Sequence, residues 1–136
     1  MRNIKYIVVH CTATAQTAKV SAILNYWRSQ LGWKNPGYHI LIDAAGVQHE
    51  LLTVDKVANG VLGYNSQSVH VGYIGGVDGL GNPQDNRTME QKAALVQVLK
   101  HWRRLYPNAT IQGHRDFPRV KKACPSFDAR LKYAHL

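Results

Sequence analysis

The chain has 136 residues, the size of one ordinary domain with a core around a single sheet. A composition of 45% hydrophobic and 18% charged residues, with no low-complexity tract, excludes a disordered chain. Seventeen Lys and Arg against eight Asp and Glu give a net charge of +9, which favours polyanionic partners. The basic residues are nevertheless spread along the chain without a helix-turn-helix, zinc-finger or aromatic RNA-binding signature, so no specific nucleic-acid partner is expected.

In chain order, residues 4–9 form a nearly continuous β-rich apolar run, read as a strand buried on both faces, with the Thr-rich stretch after it leaving the sheet. This run is too short to span a bilayer and lacks the cleavage region of a secretory signal, so no membrane partner and synthesis in the cytoplasm without a signal peptide are expected. Val20, Leu24, Trp27 and Leu31 mark one face of a helix over 17–31, with Thr17 to cap its start and Gly32 its end. Trp27 reads as core, whereas Trp33 lies beyond the helix and can line a cleft. Strands over 38–43 and 47–51, separated by Ala44-Ala45-Gly46, predict an antiparallel hairpin with Tyr38 at its mouth.

Residues 52–68 carry a loop signature, and 69–74 read as another interior strand in which His70 is a satisfied sheet histidine. The glycine-rich stretch 75–86 is a surface loop. Thr88-Met89-Glu90-Gln91 fits a capping box at the head of a helix over 88–105, with Leu95, Leu99, Trp102 and Tyr106 on one face and His101 beside it, partly exposed. A short strand over 110–112 delivers His114, and 126–134 predict a last short helix. Strands alternating with helices imply an α/β fold, a single domain with a central mixed sheet of about five strands flanked by helices.

The segment 113–128 is hardest to explain as packing, because it carries His114, Cys124 and several cations on a stretch that two prolines keep from regular structure. Imidazole and thiolate are ligands zinc prefers, and a catalytic zinc takes three protein ligands. The best third candidate is His10, at a strand end where loops from distant parts of the chain converge. On the residues alone a Cys11–Cys124 disulfide, as in a basic nucleic-acid-binding domain with a structural bridge, stays open beside the metal.

Val9-His10-Cys11-Thr12-Ala13-Thr14, Gly37-Tyr38-His39-Ile40, Gly63-Tyr64-Asn65-Ser66-Gln67-Ser68-Val69 and Lys122-Ala123-Cys124-Pro125-Ser126-Phe127-Asp128 together resemble the zinc-dependent N-acetylmuramoyl-L-alanine amidases. That family includes phage endolysins and shares its fold with peptidoglycan-recognition proteins. The resemblance implies that residues 1–136 are one amidase domain. It also implies one Zn2+ per chain held by His10, His114 and Cys124, with Cys11 a buried neighbour, Tyr38 and Lys122 assisting catalysis, and Thr12 and Asn65 contacting substrate. The implied reaction is hydrolysis of the amide between N-acetylmuramic acid and L-alanine in bacterial peptidoglycan, by an endolysin or wall-remodelling enzyme. Nothing in the residues demands more than a monomer, and without a signal peptide the enzyme is expected to reach the cell wall or periplasm through release by another factor. Many members place a histidine just before the Gly-Tyr-Asn block, where this chain has Asn59-Gly60-Val61. The alternative is a non-catalytic peptidoglycan-binding module, which keeps the cleft but commonly lacks the cysteine. The presence of Cys124, Tyr38 and both histidines favours an enzyme.

Overall fold

The structure is a computed structural model describing residues 2–136. Five strands, β1 (Tyr6–Cys11), β2 (Ile40–Ile42), β3 (Gln48–Glu50), β4 (Ser68–Tyr73) and β5 (Thr110–Gly113), form one sheet in the order β3-β2-β4-β1-β5. Only the β2–β3 hairpin is antiparallel, so the sheet is mixed as the alternation of elements predicts. The helices are α1 (Val20–Asn25), α2 (Met89–Leu105) and α3 (Ala129–Lys132). Among the described residues no helix is long and apolar enough to cross a membrane.

Strand β1 is an interior strand, parallel to β4 on one side and to the edge strand β5 on the other. The strand predicted over 4–9 runs two residues further than its apolar stretch, because His10 and Cys11 keep the ladder with Gly72 and Tyr73. Alternation then sorts its side chains. Ile7, Val9 and Cys11, with Val69, Val71 and Tyr73, pack against the buried stripe Leu95, Val98, Leu99 and Trp102 of α2. Val8 and His10, with His70 and Gly72, face the other side, where α1 and the long loops lie. Both faces are covered, which is why the central strands read as continuous apolar runs.

Helix α1 departs from the predicted 17–31. It starts after Lys19, with no side-chain cap from Thr17 or any other residue, and from Tyr26 to Gln30 continues as a π-helical turn in which Leu31 N–H donates to Tyr26 O. The wider turn breaks the i, i+4 register. Ile23 and Trp27 are buried, while Leu31 leaves the stripe and is 42% exposed. At the C-terminus the helix is shorter than 126–134, because Ser126 has a φ of 70° and Asp128 Oδ1 caps the chain only from Leu131 N–H onward.

The capping box of α2 forms as predicted. Gln91 N–H donates to Thr88 Oγ1 at 3.0 Å, Thr88 N–H donates to Gln91 Oε1 at 3.0 Å, and the Thr88 hydroxyl donates to Ala44 O at 2.8 Å. One side chain thus fixes both the helix start and the turn of the β2–β3 hairpin. Thr88→Ala should lower the unfolding free energy by about 1 kcal/mol in urea titration, the ordinary cost of a lost cap or somewhat more.

Candidate active site

The cleft lies on the α1 side of the sheet, and its floor is the C-terminal end of β1 and the loop that follows β5. β5 ends beside β1, with Val9 opposite Gly113, so the next residue, His114, is delivered next to His10; their ring centroids are 5.0 Å apart. A short 3-10 turn, His114–Asp116, reverses the chain, with Asp116 Oδ2 accepting from Gly113 N–H at 2.8 Å. The loop then returns onto the strand end. Arg115 N–H donates to Cys124 O at 2.8 Å, Tyr73 Oη–H to Pro125 O at 2.7 Å, and Ser126 Oγ–H to Gly76 O at 2.8 Å. Gly113 carries no side chain for a spatial reason, since a Cβ there would overlap Pro125 Cδ at 2.6 Å.

The outcome is that one nitrogen of His10, one of His114 and the sulfur of Cys124 all lie within 4.8 Å of one another. His10 Nδ1 faces Cys124 Sγ at 3.8 Å. Both cysteines are free, which removes the Cys11–Cys124 bridge; instead Cys11 N–H points at Cys124 Sγ, 3.2 Å away.

Burial sets the charge state of this trio. Burial, then the neighbouring His70, holds the His10 imidazole well below its ordinary range, and burial with the Lys122 charge brings His114 down to about 4. Both rings are neutral at pH 7 and keep a lone pair. Burial pushes the Cys124 thiol well up, so the sulfur becomes a thiolate when a cation supplies the compensating charge. Two neutral imidazoles and one thiol, with no carboxylate among them, form a donor set that suits zinc rather than magnesium or calcium.

Tyr38 stands over the trio. Its ring stacks on His10 with centroids 4.6 Å apart, and its hydroxyl donates to Cys11 O at 2.9 Å. The ring lies so close to β4 that a side chain at Gly72 would collide with it. Burial raises the phenol well above its usual pKa, leaving an O–H donor at neutral pH. Lys122 is exposed on the rim, where its charge is felt by both His114 and His10.

Thr12, Trp33, Trp27 and Ile23 also line the cleft, whose volume is about 910 Å³. Trp27 therefore serves both the core and the cleft wall. Thr12 Oγ1 accepts from Gly75 N–H at 3.0 Å and bonds Thr14 Oγ1 at 2.7 Å. Asn65 is placed elsewhere: its Oδ1 accepts from Val61 N–H at 2.7 Å, closing the loop, and it is not among the lining residues.

Sequence reasoning missed a row of buried histidines under the floor. His70, read above as a satisfied sheet histidine, has Nδ1 at 2.9 Å from His10 Nε2, but its own Nε2 has no partner among the described residues. Asn59-Gly60-Val61 supplies no imidazole, and Gly60 lies directly against the His70 ring. Next to it, His39 Nδ1 accepts from His70 N–H at 3.0 Å and its Nε2–H donates to Lys56 O at 2.8 Å. The parity of two strands in register, with Val8 opposite His70, is the signal that puts His70 and His10 on one face.

Solved structures share this fold. The Ph2119 endolysin from the Thermus scotoductus MAT2119 bacteriophage superposes with a TM-score of 0.81 at 23% identity, over 99% of this chain and 85% of that one. Bumblebee PGRP-SA superposes with a TM-score of 0.77 at 19% identity, over 98% and 82%. The domain is thus of the class shared by phage endolysins and peptidoglycan-recognition proteins. Residues 1–127 match the family described as N-acetylmuramoyl-L-alanine amidase, and an endolysin of Enterobacteria phage K11 is 42% identical over 121 residues, 88% of this chain and 79% of the relative. The chain belongs to the N-acetylmuramoyl-L-alanine amidase family.

The buried histidines also predict an acid-sensitive fold. Burial, with the nearby Arg2 charge, lowers His39 to about 4 against the bond to Lys56 O, whereas an unfolded imidazole titrates near 6.5. The unfolded chain binds more protons in that interval, so this contribution to stability is full above pH 6.5 and is lost as pH falls towards 4. With chelator present throughout, the thermal midpoint should fall between pH 6.5 and pH 4, and His39→Asn should flatten that slope.

Proposed function

We propose that this chain is a zinc-dependent amidase that hydrolyses the bond between N-acetylmuramic acid and L-alanine in peptidoglycan, with His10, His114 and Cys124 holding the metal. The observation that carries the reading is the convergence of these three donors, from β1 and the loop after β5, within 4.8 Å at the floor of an open cleft. Bound there, zinc would supply Lewis acidity that makes water nucleophilic at neutral pH and polarises a carbonyl.

The chain's own residues account for the rest of the chemistry. His10 and His114 are neutral, so neither would have to lose a proton to act as a ligand, and buried Cys124 would hold the metal as its thiolate. Attack on the lactyl carbonyl builds negative charge on its oxygen. Tyr38 remains protonated, and rotation about its Cζ–Oη bond swings the hydrogen from Cys11 O towards that oxyanion. Lys122 brings a full positive charge to the same rim, where it stabilises the oxyanion and can donate a proton to the departing amine of L-alanine.

A cleft of about 910 Å³ accommodates a sugar with several stem-peptide residues. Its indole wall, Trp27 and Trp33 with centroids 6.3 Å apart, offers apolar faces to sugar and peptide, and Thr12 offers a hydroxyl. Asn65 acts on substrate only indirectly, by shaping its loop. The formal charge of +9 supports retention on an anionic wall polymer.

Mass spectrometry of products from purified sacculi tests the reading: new L-alanine amino termini should appear, vanish with a chelator and return with zinc. Intact sacculi alongside bound protein would instead establish a recognition module. Tyr38→Phe should keep one zinc per chain but lower turnover by about a hundredfold to a thousandfold, as for loss of an oxyanion donor. Cys124→Ser should lose zinc and turnover together while still folding, as followed by metal analysis and circular dichroism.

A further inference from the structure

We infer that His70 is a positioning residue for His10: its Nδ1 accepts the His10 Nε2–H, which fixes the tautomer and plane that leave His10 Nδ1 free for the metal. The inference rests on the proposal that His10 is a metal ligand, and it adds a residue that neither the motif blocks nor the family match assigns. The Nδ1 to Nε2 distance is 2.9 Å, and both rings are buried.

Proton bookkeeping settles the direction of that bond. A ligating nitrogen must present a lone pair, and the His10 nitrogen facing Cys124 Sγ is Nδ1. A His10 that ligates through Nδ1 therefore carries its hydrogen on Nε2, where the one acceptor within reach is His70 Nδ1. His70 in turn carries its hydrogen on Nε2, the buried atom without a partner among the described residues.

That orphaned atom argues against a scaffold role. Leaving a buried polar atom unpaired costs on the order of 1–3 kcal/mol, and an apolar residue between Val69 and Val71 would avoid it. The ring's single hydrogen bond goes to His10.

The packing keeps the ring in place. A side chain at position 60 would collide with His70 Nδ1 and Cε1, so Gly60 brings the loop backbone onto the ring edge and closes the space beside the shared hydrogen bond. From the other side His39 stacks on His70, with the planes 6° apart and centroids at 5.9 Å, and accepts its backbone N–H. His70 is thus clamped between loop and strand, in the manner of the outer partners that orient metal-bound histidines.

Zinc affinity, measured by competition with a chromogenic chelator and independent of turnover, tests the inference. His70→Leu should weaken zinc binding by about 10- to 100-fold, the usual effect of losing such a partner, whereas His70→Asn, whose Oδ1 stands where Nδ1 stood, should stay within about threefold of wild type. Should the leucine variant not fold by circular dichroism, His70→Gln replaces it, because its carboxamide reaches past the Nδ1 position and should weaken binding as leucine does. Wild-type affinity in the leucine or glutamine variant, or equal weakening in the asparagine variant, would overturn the role. A wild-type chain that takes up no zinc would instead sink the metal centre itself.

Discussion

Two parallel ladders, β4 to β1 and β1 to β5, hold the cleft together. Because β1 is shared, the register of one strand fixes the neighbours of His10 on both sides: Gly72 across one ladder, and across the other the strand end from which His114 emerges. A shift of one residue would send His10 into the α2 core and bring Val9 to the cleft. The apolar set Ile7, Val9 and Cys11, buried in the same core cluster as the α2 stripe, prevents that shift. Core packing on one face thus provides the aim of the polar groups on the other.

The same economy appears in the glycines. Gly72 admits the Tyr38 ring, Gly60 admits His70 and Gly113 admits Pro125. In each case a missing side chain lets a ring lie directly on backbone, and for Tyr38 and His70 this close packing adds to the hydrogen bonds with Cys11 O and His10 Nε2. Burial of His10, Tyr38 and Cys124 favours the neutral imidazole, the protonated phenol and the protonated thiol. The rim is left to the exposed Lys122 and to Thr12, where charge and hydroxyl remain accessible.

Much of this was legible in the amino-acid order because it is written locally. Apolar runs marked the strands, the Thr88 to Gln91 spacing marked the head of α2, and the donor chemistry of His10, His114 and Cys124 marked the cluster. What escaped depends on three-dimensional register. The partnership of His70 with His10 spans 60 residues and follows from strand parity across a ladder, which no local spacing encodes. The π-helical turn after Asn25 is a one-residue change in winding that apolar periodicity cannot distinguish from a regular helix. Asn65 has the polar character of a substrate contact, yet its carboxamide is used within its own loop, a choice set by the turn geometry around Val61.

The widened turn also has a bearing on how such a domain can diversify. Just beyond it Gly32, with a φ of 69°, lets Trp33 N–H bond Trp27 O, and the two indoles come to face the cleft from a segment that makes no ladder contacts. Floor and wall are consequently set by different devices, one by sheet register and the other by helical winding, and they meet at the Tyr38 ring. Insertion or deletion of a single residue near Tyr26 would swing the aromatic wall and reach the donors beneath it only through the Tyr38 ring, which meets Trp27 edge-on and stacks on His10. The shape of the cleft mouth can thus change through the winding of one helix, with a single aromatic ring as the hinge between mouth and floor.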